Sequence, residues 1–274
     1  MPNHAKTPVV FVHGLWMHAS SWDEWVGLFN DNGYQAIAPR WPGEAESAEA
    51  TRKNPHTFDN RGIAEVTDHY SKVIADLPTP PILIGHSFGG LIAQRLFGLG
   101  FGRGCVAIAP AQFRGILGLP PAQLRAAWPV LSRPGLLKKT WSHTPETFHR
   151  FFANAVPRVE SDRLLQAYGM PAPARPLFQA GLANLTIGRS EAAVDTHRDR
   201  GPLLLIAGGR DQYVPASVVR AAYKIQRRNS GRTEFKLFED RGHSLAGDHG
   251  WRDIADTALE FLTRTGLSAK DSAA

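Results

Sequence analysis

The sequence predicts an α/β fold: a mostly parallel central sheet, helices on both faces, and a helical insertion late in the chain. Three observations predict it. Residues 8–12, 82–84, 105–109 and 202–207 form short runs without a polar side chain, the composition of strands buried on both faces. Between these runs stand segments with apolar residues three and four apart, the spacing of a helix packed by one face. Between Ala111 and Asp195 this alternation gives way to a stretch rich in proline and aromatic residues. The order β-α-β-α-β-α-β before that point requires crossover connections, which make a parallel sheet.

The elements follow in order. Pro8-Val9-Val10-Phe11-Val12 is the first strand and ends in His13-Gly14-Leu15-Trp16. Ser20 or Ser21 caps the next helix, with Asp23 and Glu24 in the first turn, where carboxylates oppose the positive end of the helix dipole. Trp22, Trp25, Val26 and Phe29 give that helix its apolar face, and Asn32-Gly33 ends it. Residues 34–38 form a strand, followed by the turn 39–47, and residues 48–58 read as a polar loop. Ile63, Val66, Tyr70, Val73, Ile74 and Leu77 predict a helix over about 60–77. A proline-rich break at 78–81 leads into the strand at 82. A further helix carries Leu91, Ile92 and Leu96, and four glycines from Gly98 to Gly104 precede the strand at 105.

In the stretch that follows, the aromatics are Phe113, Trp128, Trp141, Phe148, Phe151, Phe152, Tyr168 and Phe178. Thr144-Pro145-Glu146 is a helix start, with proline at the first helical position. Ser161 is expected to cap a second helix that turns Leu164, Leu165 and Tyr168 inward and ends at Gly169. A third runs over 176–182. Strands return at 202–207 and 233–238. A last helix buries Trp251, Ile254, Ala258, Phe261 and Leu262, and the tail from Ser268 is expected to fray.

Bulk properties exclude several classes. The chain has 274 residues, 43% of them hydrophobic, enough for one large domain with an insertion. No run reaches the roughly 18 apolar residues that span a bilayer. Met1 to Pro8 lacks the apolar core of a signal peptide. The one cysteine, Cys105, lies in an apolar run and excludes an internal disulfide. The expectation is a soluble, cytoplasmic protein without membrane insertion. Lysine and arginine exceed acidic residues by six. The cations look scattered, with only short clusters such as Lys138-Lys139 and Arg227-Arg228, and no nucleic-acid module accompanies them. His13, His18, His143 and His149 lack carboxylate or cysteine neighbours at ligand spacing, so no metal is expected.

The chemistry gathers at Ile82-Leu83-Ile84-Gly85-His86-Ser87-Phe88-Gly89-Gly90. An apolar strand runs into Gly-x-Ser-x-Gly and then directly into a helix. The serine stands on a strained turn, its small neighbours leaving room for adjacent strands, and the helix N-terminus favours negative charge there. Asp211 follows the strand at 202–207, and His243 follows the strand at 233–238 in Gly242-His243. With His13-Gly14 after the first strand, this layout resembles the α/β-hydrolase family over the whole chain except its ends and the insertion.

The resemblance implies a core at 1–110 and 196–274 and a helical cap, or lid, at 111–195. It implies a catalytic triad of Ser87, Asp211 and His243 in the family's chain order. Backbone N–H groups of Leu15, with Trp16 next in line, and of Phe88 would form the oxyanion hole. Asp240 and Asp248 are poorer candidates for the acid, and Asp248 and His249 are expected to shape the loop surface. His13 is read as bracing its loop and His86 as packing. One departure is Ala45, where the family has the second glycine of a Gly-x-Gly-x-Ser turn. Trp16, Trp128, Trp141 and Phe152 are the candidates to touch substrate. The implied activity is serine hydrolysis of a small to medium apolar carboxylic ester through an acyl-enzyme, without cofactor or metal. A lactone or C–C bond hydrolase, a cofactor-free oxygenase or perhydrolase, and a non-catalytic ligand-binding protein are the alternatives. The expected partner is a small-molecule ester rather than nucleic acid, and the oligomeric state is left open.

Overall fold

Strands without polar side chains must be covered on both faces, and the computed structural model, which describes residues 6–269, covers them so. Its elements are β1 (Pro8–Val12), α1 (Asp23–Asp31), β2 (Gln35–Ile37), α2 (Ala48–Lys53), α3 (Ile63–Ala75), β3 (Ile82–His86), α4 (Phe88–Gly98), β4 (Gly104–Ile108), α5 (Pro121–Leu131), β5 (Thr140–Trp141), α6 (Pro145–Thr147), α7 (Arg158–Tyr168), β6 (Ala172–Pro173), α8 (Arg175–Gly181), β7 (Leu203–Gly208), α9 (Ala216–Gln226), β8 (Thr233–Phe238) and α10 (Trp251–Arg264). The main sheet has the order β2-β1-β3-β4-β7-β8, and every neighbouring pair is parallel.

Alternation along each strand builds two cores. Val9 and Phe11 of β1, Ile82 and Ile84 of β3, and Leu204 and Ile206 of β7 turn to one face. There they meet Trp25 and Phe29 of α1 and Ile254, Phe261 and Leu262 of α10. Val10, Val12, Leu83, Cys105 and Leu205 turn to the other, against Val66 and Tyr70 of α3, Leu91 and Ile92 of α4, and Val219 of α9. All strands run the same way, so the loops after β1, β3, β7 and β8 leave from one edge, the usual place for a ligand in such sheets.

Several local expectations are corrected. Residues 48–58 are not a loop: Ser47 accepts from Ala50 N–H to start α2, and a 3-10 turn at Pro55–Phe58 carries the fully buried Phe58 inward. The polar majority hid a one-sided pattern, with Ala48 and Thr51 facing in. Helix α3 is shorter than expected, because Glu65 accepts from Gly62 N–H and fixes its start at Ile63. Ser161 does not cap α7. The helix begins after Pro157, which leaves Ser161 buried in its second turn. The start at Thr144 holds, but the helix widens at once into a π-turn over Phe148–Phe152. Helix α5, which contains Pro129, and the two-residue strands β5 and β6 carry too little pattern to be foreseen. The N-terminal residues 1–5 and most of the tail expected to fray, 270–274, lie outside the described residues. Among the described residues no helix is long and apolar enough to cross a membrane.

The elbow between β3 and α4 is closely packed against its neighbours. A Cβ on Gly85 would overlap the carbonyl of Gly89, and a Cβ on Gly89 would overlap the carbonyls of Val12 and His13. Both clashes are with backbone, which cannot swing away as a side chain can. Gly89→Ala should therefore lower stability by about 3 kcal/mol or more. Circular-dichroism melting of the variant beside the native chain checks this.

Candidate active site

Ser87 leaves β3 with φ 56°, a left-handed conformation rare outside glycine, and serves as N-cap of α4. The strain is held by backbone bonds on both sides. Ser87 N–H donates to Ile108 O at 2.9 Å, and Ser87 O accepts from Leu91 N–H at 3.1 Å and Ala111 N–H at 2.9 Å. His243 begins a short 3-10 turn after β8, and Asp211 sits in the turn after β7. Three loops from one sheet edge thus bring together groups 124 and 32 residues apart in sequence. His243 Nε2 lies 2.9 Å from Ser87 Oγ, and His243 Nδ1 lies 2.7 Å from Asp211 Oδ2. All three side chains are buried.

Hydrogen bonding fixes the direction of this chain. Asp211 Oδ1 accepts from Tyr213 N–H and Val214 N–H, each at 2.8 Å, which leaves Oδ2 for the imidazole. The carboxylate accepts from Nδ1–H, so Nε2 presents a lone pair to the serine hydroxyl. His86 Nε2 donates to the backbone O of His243 at 2.8 Å and holds the loop that carries it. Burial and the neighbouring His243 pull His86 well below its ordinary 6.5. The same two causes bring His143 down to about 3. Both rings are therefore neutral at pH 7. His143 accepts from or donates to Tyr213 OH at 3.1 Å, and burial together with the Asp211 charge pushes Tyr213 upward.

The loop after β1 faces the serine. A Cβ on Gly14 would stand 2.8 Å from Ser87 Cβ, so only glycine lets this loop approach so closely. Trp16, at φ 68°, turns it sharply. Among the described residues the backbone N–H groups of Leu15 and Phe88 find no acceptor, although both residues are buried. The loop is clamped by Glu44, a residue the sequence did not single out. Its Oε1 accepts from Ala19 N–H at 2.7 Å and its Oε2 from Trp41 N–H at 2.8 Å. The Nε2 atoms of His13 and His18 lie 2.8 and 3.2 Å from the same carboxylate. His13 braces its loop as expected.

Above Ser87 is a narrow cavity, about 50 Å3 of free space, with walls from Trp16, Phe88, Leu119, Ala127, Leu131, Leu177, Ala180 and Tyr213. Of the four candidates for substrate contact, Trp16 alone lines it. Trp128 is 58% exposed on α5, turned outward while Ala127 and Leu131 face the cavity. Trp141 packs edge-on to Trp16 at 5.6 Å, behind the wall. Phe152 packs edge-on to the His243 ring at 5.0 Å and stacks on Phe148. Asp248 is likewise corrected. It is buried, accepts from Ser244 Oγ at 2.7 Å and pairs with Arg241, anchoring the His243 loop from within. Leu177 and Ala180 were missed because their facing depends on the packing of residues 111–195; for Tyr213 the position two residues after Asp211 was the available signal.

Sheet order, elbow and loop positions together define the α/β-hydrolase fold. The model of the alpha/beta hydrolase family matches residues 9–257, and the chain belongs to that family. A non-heme chloroperoxidase from Kitasatospora aureofaciens is 23% identical over 94% of this chain and 92% of its own. Among solved structures, a monoacylglycerol lipase from Paleococcus ferrophilus superposes with a TM-score of 0.67, at 21% identity over 95% of this chain and 97% of its own. A methylesterase from Arabidopsis superposes with a TM-score of 0.62, at 16% identity over 94% and 99%.

Burial alone would raise the Glu44 carboxyl, but the adjacent His13, the hydrogen bonds from His13 and Ala19, and His18 outweigh it, and the net shift is below the ordinary 4.5. A carboxyl held low in the folded state binds protons more readily when unfolded. Its stabilisation is complete above about pH 4.5 and is lost as pH falls through the folded value. Glu44→Gln should cost about 1–3 kcal/mol at pH 7, and the gap to the native chain should shrink below pH 4.5. Urea unfolding of both proteins across that range measures it.

Proposed function

We propose that this chain is a serine hydrolase that cleaves a carboxylic ester of a small to medium, largely apolar substrate through an acyl-enzyme. The observation that carries the reading is the continuous hydrogen-bond chain from Ser87 Oγ through His243 to Asp211 at the floor of an apolar cavity.

In the reading, Ser87 Oγ attacks the ester carbonyl while His243 Nε2 takes its proton. Asp211 holds Nδ1–H and stabilises the imidazolium. The carbonyl oxygen becomes an oxyanion, which accepts from Leu15 and Phe88 N–H, groups that need no side-chain identity. The tetrahedral intermediate collapses, His243 returns the proton to the departing alkoxide, and the alcohol leaves. Water then attacks the acyl-serine with His243 again as base, releasing the acid and restoring Ser87. Residues 111–195 act as a cap whose α5 and α8 close over the acyl group. The slender cavity between Ala127, Ala180 and Tyr213 favours short acyl chains. The lipase and methylesterase likenesses support ester chemistry.

The chloroperoxidase relative favours a second reading, in which hydrogen peroxide replaces water as acyl acceptor and the product is a peracid. It uses the same acyl-serine.

Ser87→Ala should lower kcat/KM for a short-chain aryl ester by at least about a thousandfold and leave the melting temperature near native. Rates over esters of rising acyl length, with and without peroxide, separate the two readings. Undiminished turnover by the variant would refute both.

A further inference from the structure

The wall of the cavity over Ser87 is mostly apolar, yet two glutamines, Gln112 and Gln123, belong to it. Their side-chain oxygens are buried, and among the described residues no donor reaches either of them. Gln112 as a whole is 7% exposed. A buried carbonyl without a donor destabilises the fold, so one kept in the wall of a site points to a ligand that brings the donor. The acyl-transfer steps use neither oxygen.

The fold fixes both glutamines. The chain leaving β4 turns at Ala109, φ 40°, and Ala111 N–H donates to Ser87 O at 2.9 Å. Gln112 is therefore one residue from a direct contact with the backbone of the nucleophile. Its Nε2 donates to Ala180 O at 3.4 Å. That contact orients the amide: turned over, two carbonyls would face each other, so the oxygen is the atom left unmet. Gln123 stands four residues before Ala127 and eight before Leu131 on α5, and all three line the cavity. An apolar side chain would continue that stripe, and a glutamine interrupts it.

The rest of the wall narrows the choice of ligand group. Among the described residues no charged side chain lines the cavity. An ammonium would be desolvated there without a counter-charge, and a carboxylate has no proton to give a carbonyl. Trp16, in the same wall, buries an Nε1–H that finds no acceptor among the described residues. A neutral hydroxyl both gives a hydrogen bond and takes one. We propose that the acyl group taken by this site carries a hydroxyl: the substrate is an ester of a short hydroxy acid, and Gln112 Oε1 accepts from its hydroxyl, with Gln123 Oε1 as the second acceptor. Selectivity then comes from rejection, because an acyl group without the hydroxyl displaces water from Gln112 and leaves its oxygen bare. That the ligand is an ester rests on the hydrolase reading; that it brings a hydroxyl rests on the cavity alone.

The test uses ethyl esters of butyrate, of its 2-hydroxy and 3-hydroxy derivatives, and of the corresponding methyl ethers. Each kcat/KM is divided by the ester's own rate of hydroxide hydrolysis, which removes the inductive effect of the added oxygen. In the native chain at least one hydroxy ester should exceed both butyrate and its methyl ether by about tenfold or more. Gln112→Leu should lower that ratio by about tenfold, and Gln123→Leu by about threefold. A ratio formed within one protein is unmoved by partial unfolding or a general loss of activity, and the native comparison and Gln123→Leu decide the matter if Gln112→Leu does not fold. In calorimetric titration Ser87→Ala should bind the preferred hydroxy ester about tenfold more tightly than its methyl ether. Turnover without a hydroxyl preference overturns the inference and leaves the hydrolase reading standing. Absent turnover with preferential binding by Ser87→Ala does the reverse. No turnover and no preference in binding refutes both, and a preference that Gln112→Leu and Gln123→Leu both retain overturns the assignment to these two oxygens.

Discussion

The site depends on a backbone-to-backbone approach that admits no side chain. Where β3 turns into α4, Gly89 lies against the carbonyls of Val12 and His13, and Gly14 faces Ser87 from the end of β1. Parallel pairing of β1 with β3 sets this spacing, with Phe11 beside Ile84 and Val12 beside Gly85. The strained serine is thus not a local choice of its turn. It is imposed by two neighbouring strands and retained by three backbone hydrogen bonds. Everything the site does with its hydroxyl presupposes that two strand ends meet without side chains between them.

Around this point the protein builds a dry environment. The imidazole of His243 is enclosed by Phe152, Tyr213 and His86, with ring centroids 5.0, 5.4 and 4.7 Å away. His86 and His143 stay neutral here, so they give hydrogen bonds and packing without competing charge. The ionised groups are held by dedicated donors instead. Asp211 receives two backbone N–H groups, and Glu44 receives two more on the far side of the Gly14 loop. In a low-dielectric surrounding, a charge fixed in this way is a positional constraint, because moving it would leave it unpaired.

The sheet and the meeting of Ser87, Asp211 and His243 were legible because each rests on strong local signals. Runs such as 8–12 and 202–207 have no polar face to misread, and glycines at 85, 89 and 90 mark the sharp turn. The packing inside residues 111–195 was not legible. The helices there are short, one contains Pro129 and another widens into a π-turn, so period alone does not tell which side of α5 faces the cavity. Trp128 was misjudged for that reason: a large aromatic suggests burial, yet Ala127 beside it faces inward. Glu44 was missed because a carboxylate in a turn reads as solvated. Only the three-dimensional meeting of Ala19, Trp41, His13 and His18 reveals it as a clamp.

The burial of Cys105 has a practical consequence. The thiol lies in the centre of the sheet with no exposed surface, and burial pushes it up to about 12. It is therefore inert toward alkylating and oxidising reagents while the chain stays folded. The native protein is in effect thiol-silent, and a cysteine introduced anywhere on its surface would take a spin or fluorescent label alone, without first removing the natural one.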